Sequence, residues 1–161
     1  MQIRHVQPTD LSTLIEIEKA GFAPAKAATP AAFKNRIDTI SDTFLVATEQ
    51  DQVIGFINGP VIDQLYLTDD LFTTTKPNPV SGGYQSVLGL AVAPAWRHHG
   101  VAQQLLSELA QQAQQHQRRA VTLTCEHRLI PFYEAAGFHN DGQSASTHGS
   151  VIWYNMVQAL N

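Results

Sequence analysis

Residues 86–117 constrain this chain more than any other stretch. An apolar run, Val87-Leu88-Gly89-Leu90-Ala91-Val92, leads through Pro94 to Arg97-His98-His99-Gly100-Val101-Ala102, and then to a segment with Val101, Leu105, Leu106, Leu109 and Ala113 on one face. The pattern predicts a central strand that hands the chain through a glycine-containing turn into a helix over 100–117, with glutamines on its solvated face. The first N–H groups of a helix have no partner within it, and the positive end of its dipole lies there. Such a junction is a site for an anion such as a phosphate. Gly89, inside the strand, predicts a bulge or a close backbone approach.

The remaining elements arrange themselves around that unit. Ile3 and Val6 mark a short first strand, and Leu11, Leu14, Ile15 and Ile17 recur at helical spacing up to Ala20, with Gly21 as the stop. Thr29 before Pro30 reads as the N-cap and first residue of a second helix carrying Phe33 and Ile37. Thr43 to Thr48 and Val53 to Ile62 read as a hairpin about the polar turn 49–52. Residues 63–83 are too polar and too broken for a regular element, and a loop that long in a small domain is usually functional. Ala120 to Cys125 predicts a buried strand, Leu129 to Ala136 a short helix closed by Gly137, and Val151 to Met156 a final strand. Hairpins combined with one strand-helix-strand crossover imply a three-layer α/β fold with a mixed sheet.

Composition narrows the function. A chain of 161 residues that is 43% hydrophobic builds one domain with a real core, 1–161. A net charge of -4 excludes a general nucleic-acid binder, whose affinity comes from a basic face, and suits attraction of small cations such as amines. The single cysteine, Cys125, excludes an internal disulfide framework and reads as a buried, reduced thiol. No signal peptide or membrane-length apolar run is visible, so the expectation is a cytoplasmic protein without a membrane partner. The histidines outside the turn (His5, His116, His127, His139, His148) lack metal-ligand spacing, and no metal is expected.

From Gln85 to Val157, and more weakly over residues 3–62, the chain resembles the arylalkylamine N-acetyltransferase-like branch of the GNAT superfamily. The carrying residues are Leu90-Ala91-Val92, Arg97-His98-His99-Gly100-Val101-Ala102, Cys125-Glu126, Pro131-Phe132-Tyr133-Glu134 and Gly137-Phe138-His139. The tail from Ser146-Thr147-His148-Gly149 to Trp153-Tyr154-Asn155-Met156 is also similar to that branch. An R-x-x-G-x-A motif alone is weak; joined to an apolar strand before it and P-F-Y-E-x-x-G-F after it, the signature is strong. The resemblance implies a mostly antiparallel sheet splayed at a central bulge, acetyl-CoA as cosubstrate, and an amine acceptor.

Under that resemblance, the cofactor-binding residues are Leu90, Ala91, Val92, Arg97, His98, His99, Gly100, Val101, Ala102 and Gln103. A strand whose neighbour splays away at Gly89 offers unpaired backbone groups to the amide-bearing pantetheine arm, and an N–H near Leu90 to a developing oxyanion. The backbone after Arg97 would hold the pyrophosphate, while the Arg97 side chain meets either phosphate or solvent. The family places its general-acid tyrosine at Tyr133. Animal members carry two histidines where this chain has Ser86 and Leu88, which leaves Glu126 as base, acting through water, or as a helix-capping partner. Phe22, Tyr66, Asp69, Asp70 and Ser86 fall where the family forms its acceptor pocket, the two aspartates being otherwise a solvated loop. The acceptor is expected to be a small hydrophobic amine. A protein N-terminus or lysine is the alternative acceptor, and a non-catalytic acyl-CoA-binding domain the alternative class.

Overall fold

A computed structural model describes residues 1–161. In chain order the elements are β1 (Gln2–His5), α1 (Leu11–Gly21), α2 (Pro30–Thr39), β2 (Phe44–Glu49), β3 (Gln52–Asn58), β4 (Val61–Ile62), β5 (Tyr84–Val87), β6 (Gly89–Val92), α3 (Val101–Gln115), β7 (Ala120–Cys125), α4 (Ile130–Ala135), β8 (His139–Gln143) and β9 (Tyr154–Ala159). No helix is long and apolar enough to cross a membrane.

The strands form two hydrogen-bonded sheets, β1-β2-β3-β6 and β4-β5-β7-β9-β8. Every pairing is antiparallel except β5 with β7, the pair joined through the α3 crossover. The expected mixed, mostly antiparallel, splayed α/β architecture is therefore present. The separation occurs at Leu88. Its N–H donates to the Asn58 carbonyl (2.8 Å) while Gly89 is Asn58's register partner, so two residues oppose one and the strand bends out of one sheet into the other.

The sheets divide the core into two faces. On one side Leu45, Ala47, Ile54 and Ile57 pack with Val101, Leu105, Leu106 and Leu109 of α3 and with Tyr133 near α4's end. On the other, Phe44, Val46 and Phe56 pack with Leu14 and Ile17 of α1 and Phe33 and Ile37 of α2. Alternation along β2 sends Phe44 and Val46 one way and Leu45 and Ala47 the other. Each fully buried leucine of the α3 stripe contributes about 2 kcal/mol, which holds that helix against the sheet.

Three boundaries differ from the sequence expectation. The run to Ile62 is broken at Gly59-Pro60, where the chain leaves the first sheet and β4 joins the second. The last strand is Tyr154–Ala159 rather than 151–156, because its register is set by pairing with all of β7. β8 was not expected: its residues, His-Asn-Asp-Gly-Gln, are polar and mostly exposed, as an edge strand allows.

The glycine that sterics demand is also a different one. A Cβ on Gly89 meets only ordinary contacts, the nearest the Asn58 amide at 3.5 Å, whereas a Cβ on Gly59 would fall on the Ser86 carbonyl. Backbone cannot yield there as a side chain can. Gly59→Ala is expected to lose about 3 kcal/mol of stability and Gly89→Ala less than about 1, compared by urea unfolding midpoints.

Candidate active site

The start of α3 is built for an anion. Two left-handed residues, His98 (φ 64°) and Gly100 (φ 79°), turn the chain into the helix, and no side chain caps it. By contrast α2 is capped, with Thr29 Oγ1 accepting the Ala32 N–H at 3.1 Å. The first N–H groups of α3 are thus left to face a cavity of about 770 Å³. All the residues expected at the cofactor line that cavity except His99, whose ring turns back to the Arg97 carbonyl (2.8 Å). Arg97 itself ties two elements together, donating from Nε to Val92 O (3.2 Å) and from Nη2 to Ala20 O (3.3 Å).

The second component is the free side of β6. Ala93 N–H donates to Ile54 O, so in this antiparallel register Ala91 and Gly89 are the residues bonded to β3. The N–H and C=O groups of Leu90 and Val92 therefore turn to the open side. No strand of the first sheet covers it, since β6 is an edge and β5 has departed to the other sheet.

A second cavity, of about 260 Å³, lies beyond the splay and is bounded by β6, the end of β7, α1, α2 and residues 69–73 and 148–153. Phe22, Leu90, Leu129 and Tyr133 line both cavities, so the two meet at these residues. Tyr133 is held by edge-on packing against Phe132 (5.0 Å) and Phe138 (5.6 Å). Its hydroxyl makes no hydrogen bond within the protein, and burial, aided by the neighbouring Cys125, pushes the phenol well above its ordinary value. It stays protonated throughout the physiological range, a donor without an internal acceptor. Cys125, in the same wall, is pushed up to about 11 by burial and remains a thiol rather than a nucleophilic thiolate.

Glu126 lines the smaller cavity. It makes no capping hydrogen bond to the turn that follows it; instead Lys26 Nζ approaches Oε2 at 3.3 Å, with Arg128 at 3.8 Å. Of the expected acceptor-side residues, Phe22 and Asp69 line this cavity, whereas Tyr66, Asp70 and Ser86 do not. Asp69 is engaged as a fastener, accepting from Ser146 Oγ and from the Thr147 N–H (3.2 Å). The Tyr66 hydroxyl donates to Asp141 (2.8 Å), which pushes the phenol up, and Ser86 is fully buried with its hydroxyl on the Pro60 carbonyl (2.6 Å). Leu88, at the other histidine position of the family, does reach the cavity.

Sequence reasoning missed the cavity's charged floor and aromatic wall. Glu18 and Arg36 are both buried and line it. Each had a legible signal: Glu18 stands four residues after Leu14 and Arg36 three after Phe33, on the buried stripes of their helices. Burial pushes the Glu18 carboxyl up, partly offset by the Ala28 N–H, Arg36 and His148. Burial lowers the Arg36 guanidinium to about 10, so it remains cationic at neutral pH, donating to Phe72 O at 3.0 Å. The wall is His148 stacked on Phe72 (4.8 Å between rings, 10° between planes), with Trp153 donating to His148 O at 2.7 Å. In sequence the tail shows only its family likeness, because its place in the wall depends on one 3-10 turn at His148–Ser150 and on anchoring by Asp69 and β9.

Comparison with known proteins agrees with this geometry. The profile of the Acetyltransferase (GNAT) family matches residues 11–138. The chain is 30% identical over 165 residues to serotonin N-acetyltransferase of Mesocricetus auratus, covering 99% of this chain and 77% of that protein. Among solved structures it superposes on the GphF GNAT-like decarboxylase in complex with isobutyryl-CoA (TM-score 0.85, 18% identity, all of both chains). It also superposes on ribosomal-protein-alanine N-acetyltransferase from Brucella melitensis (TM-score 0.70, 20% identity, 99% of this chain and all of that one). An uncapped helix start, a free strand edge and a buried phenol between two cavities accompany these matches, and the chain belongs to the GNAT acetyltransferase family as an acetyl-CoA-dependent N-acetyltransferase.

Proposed function

We propose that the enzyme transfers acetyl from acetyl-CoA directly to the primary amine of a small hydrophobic molecule of arylalkylamine type. The observation that carries this reading is the meeting of the two cavities at Tyr133, beside the open side of β6. The larger cavity takes acetyl-CoA: the pyrophosphate lies on the backbone of residues 98–103 at the start of α3, and the pantetheine amides pair with Leu90 and Val92 as a missing strand would. The smaller cavity takes the amine, between Phe22, Phe72, Leu88 and Trp153.

The chemistry follows from that placement. The amine nitrogen forms the new bond to the acetyl carbon while the carbon-sulfur bond breaks, and charge developing on the carbonyl oxygen is met by the Leu90 N–H. Tyr133 gives its proton to the departing sulfur and recovers one from solvent. Glu126, in the cavity wall beside Lys26, passes to solvent through water both the proton an incoming ammonium sheds before its nitrogen attacks and the one lost as the amide forms. A buried, reduced Cys125 suits a cytoplasmic enzyme.

Thiol release from acetyl-CoA, followed with a panel of amines and peptides, tests the reading. Arylalkylamines are expected to turn over with kcat/KM at least about tenfold above peptides bearing a free N-terminus or lysine. The basis is the cavity wall of His148 and Trp153, whose segment Asp69 fastens at Ser146 and Thr147, and which suits a compact apolar body. Preferred turnover of a peptide would replace the acceptor class and leave the acetyl-CoA assignment standing.

A further inference from the structure

Three acidic side chains line the acceptor cavity: Glu18, Asp69 and Glu126. Two of them are already used. Asp69 holds the Ser146 hydroxyl and the Thr147 N–H, and Glu126 is paired with Lys26. Glu18 is different. Its Oε2 accepts the Ala28 N–H at 2.7 Å, while Oε1 is buried and has no hydrogen-bond partner. Arg36 attracts it through space but donates to Phe72 O (3.0 Å) and Asn58 Oδ1 (3.4 Å) instead, and no cation stands within ion-pair distance of it.

A buried carboxylate oxygen left without a donor costs folding free energy, and a ligand that brings the donor recovers that cost. The walls of the same cavity are apolar and aromatic, contributed by Phe22, Phe72, Leu88 and Trp153. What fits is a molecule with an apolar body and one strong donor. We propose that Glu18 is the residue that receives the cationic ammonium of the acceptor, and that it makes the enzyme select charged alkylamines over neutral molecules of the same shape. The two oxygens of one carboxylate accept independently, so Oε1 takes the incoming N–H while Oε2 keeps the Ala28 N–H. The ammonium thereby gains a charge-assisted hydrogen bond in a site of low dielectric, and Glu18 loses the cost of its empty valence. This rests on the smaller cavity being the amine site and adds to it the group that recognises charge.

The test is equilibrium binding to the enzyme saturated with CoA, which cannot react. Calorimetric titration with 2-phenylethylamine and with 2-phenylethanol, its neutral analogue, gives the charge preference directly. The wild-type enzyme is expected to bind the amine at least about tenfold more tightly than the alcohol. In Glu18→Gln, which keeps the shape and the oxygen facing Ala28, the two ligands are expected to bind alike, with the melting-temperature rise caused by CoA unchanged. A preference undiminished in Glu18→Gln overturns the role of Glu18 and leaves the amine site intact. Absence of binding by either ligand to the wild type overturns the amine site and this proposal with it. Should Glu18→Gln not fold, Glu18→Asp decides, since it withdraws the charge by one methylene: a weakened preference supports the proposal and an unchanged one overturns it.

Discussion

Gly100→Asp is expected to abolish acetyl-CoA binding while the fold survives. Gly100 stands at φ 79° and lines the larger cavity just before α3, where an added Cβ would meet only the Gln103 side chain at 3.9 Å. Sterics therefore permit the substitution, and aspartate is among the few residues that tolerate the left-handed region. Its charge at a helix start even favours the helix, since the first N–H groups and the dipole attract an anion. Those are the groups proposed to hold the pyrophosphate, so the carboxylate both occupies the donors and repels the ligand. Stability and binding should part company. The melting temperature alone should stay close to wild type, and the rise on adding acetyl-CoA should vanish; a full rise would place the phosphates elsewhere.

Tyr133→Phe is expected to lower kcat by about 10²-fold with acetyl-CoA affinity unchanged. The ring packing against Phe132 and Phe138 is kept, and the lost hydroxyl has no partner within the protein, so the variant should be at least as stable as wild type. The loss is partial because the CoA thiol resembles a free cysteine, with a pKa of about 8.5, and leaves tolerably without an acid. A donor with a more acidic leaving thiol should shrink the defect further. The sign of the pH dependence follows from burial, which raises the phenol above its ordinary value of 10. The tyrosine then loses no proton between about pH 6 and 9, and the ratio of wild-type to variant rates should be flat across that interval. Unchanged kcat in the variant would make Tyr133 a packing residue only.

The sequence singled out Gly100 and Tyr133, which line the cavities, whereas the lining of the smaller cavity was legible only in part. Phe22 and Asp69 were anticipated at the smaller cavity, but Asp69 spends its carboxylate fastening residues 146–147, and Tyr66, Asp70 and Ser86 face elsewhere. Ser86 illustrates why. Alternation along one strand says that Ser86 and Leu88 share a face, yet Leu88 is itself the break: Ser86 stays in β5 of one sheet, and β6 begins at Gly89 in the other. A register argument made on the sequence does not survive a bulge.

Elements whose cause is local were readable along the chain. The Thr29-Pro30 cap begins α2 at Pro30, the apolar stripe and left-handed Gly100 set the face and start of α3, and the Arg97 to Ala102 and Pro131 to Phe138 motifs identify the family. Period, capping and backbone conformation act within a few residues, so they are written in order along the chain. Features that depend on distant partners emerged only on folding. Pairing with β7 placed the last strand at 154–159, and a polar edge strand, β8, formed because β9 offered it a free side. The approach of Ser86 made Gly59, rather than Gly89, a glycine that backbone sterics require. Packing of α1 and α2 around the smaller cavity buried Glu18 and Arg36, turning two ordinary helix charges into its floor. Burial and proximity across the chain set the strength of a charge, and neither is a property of the residue's neighbours in sequence.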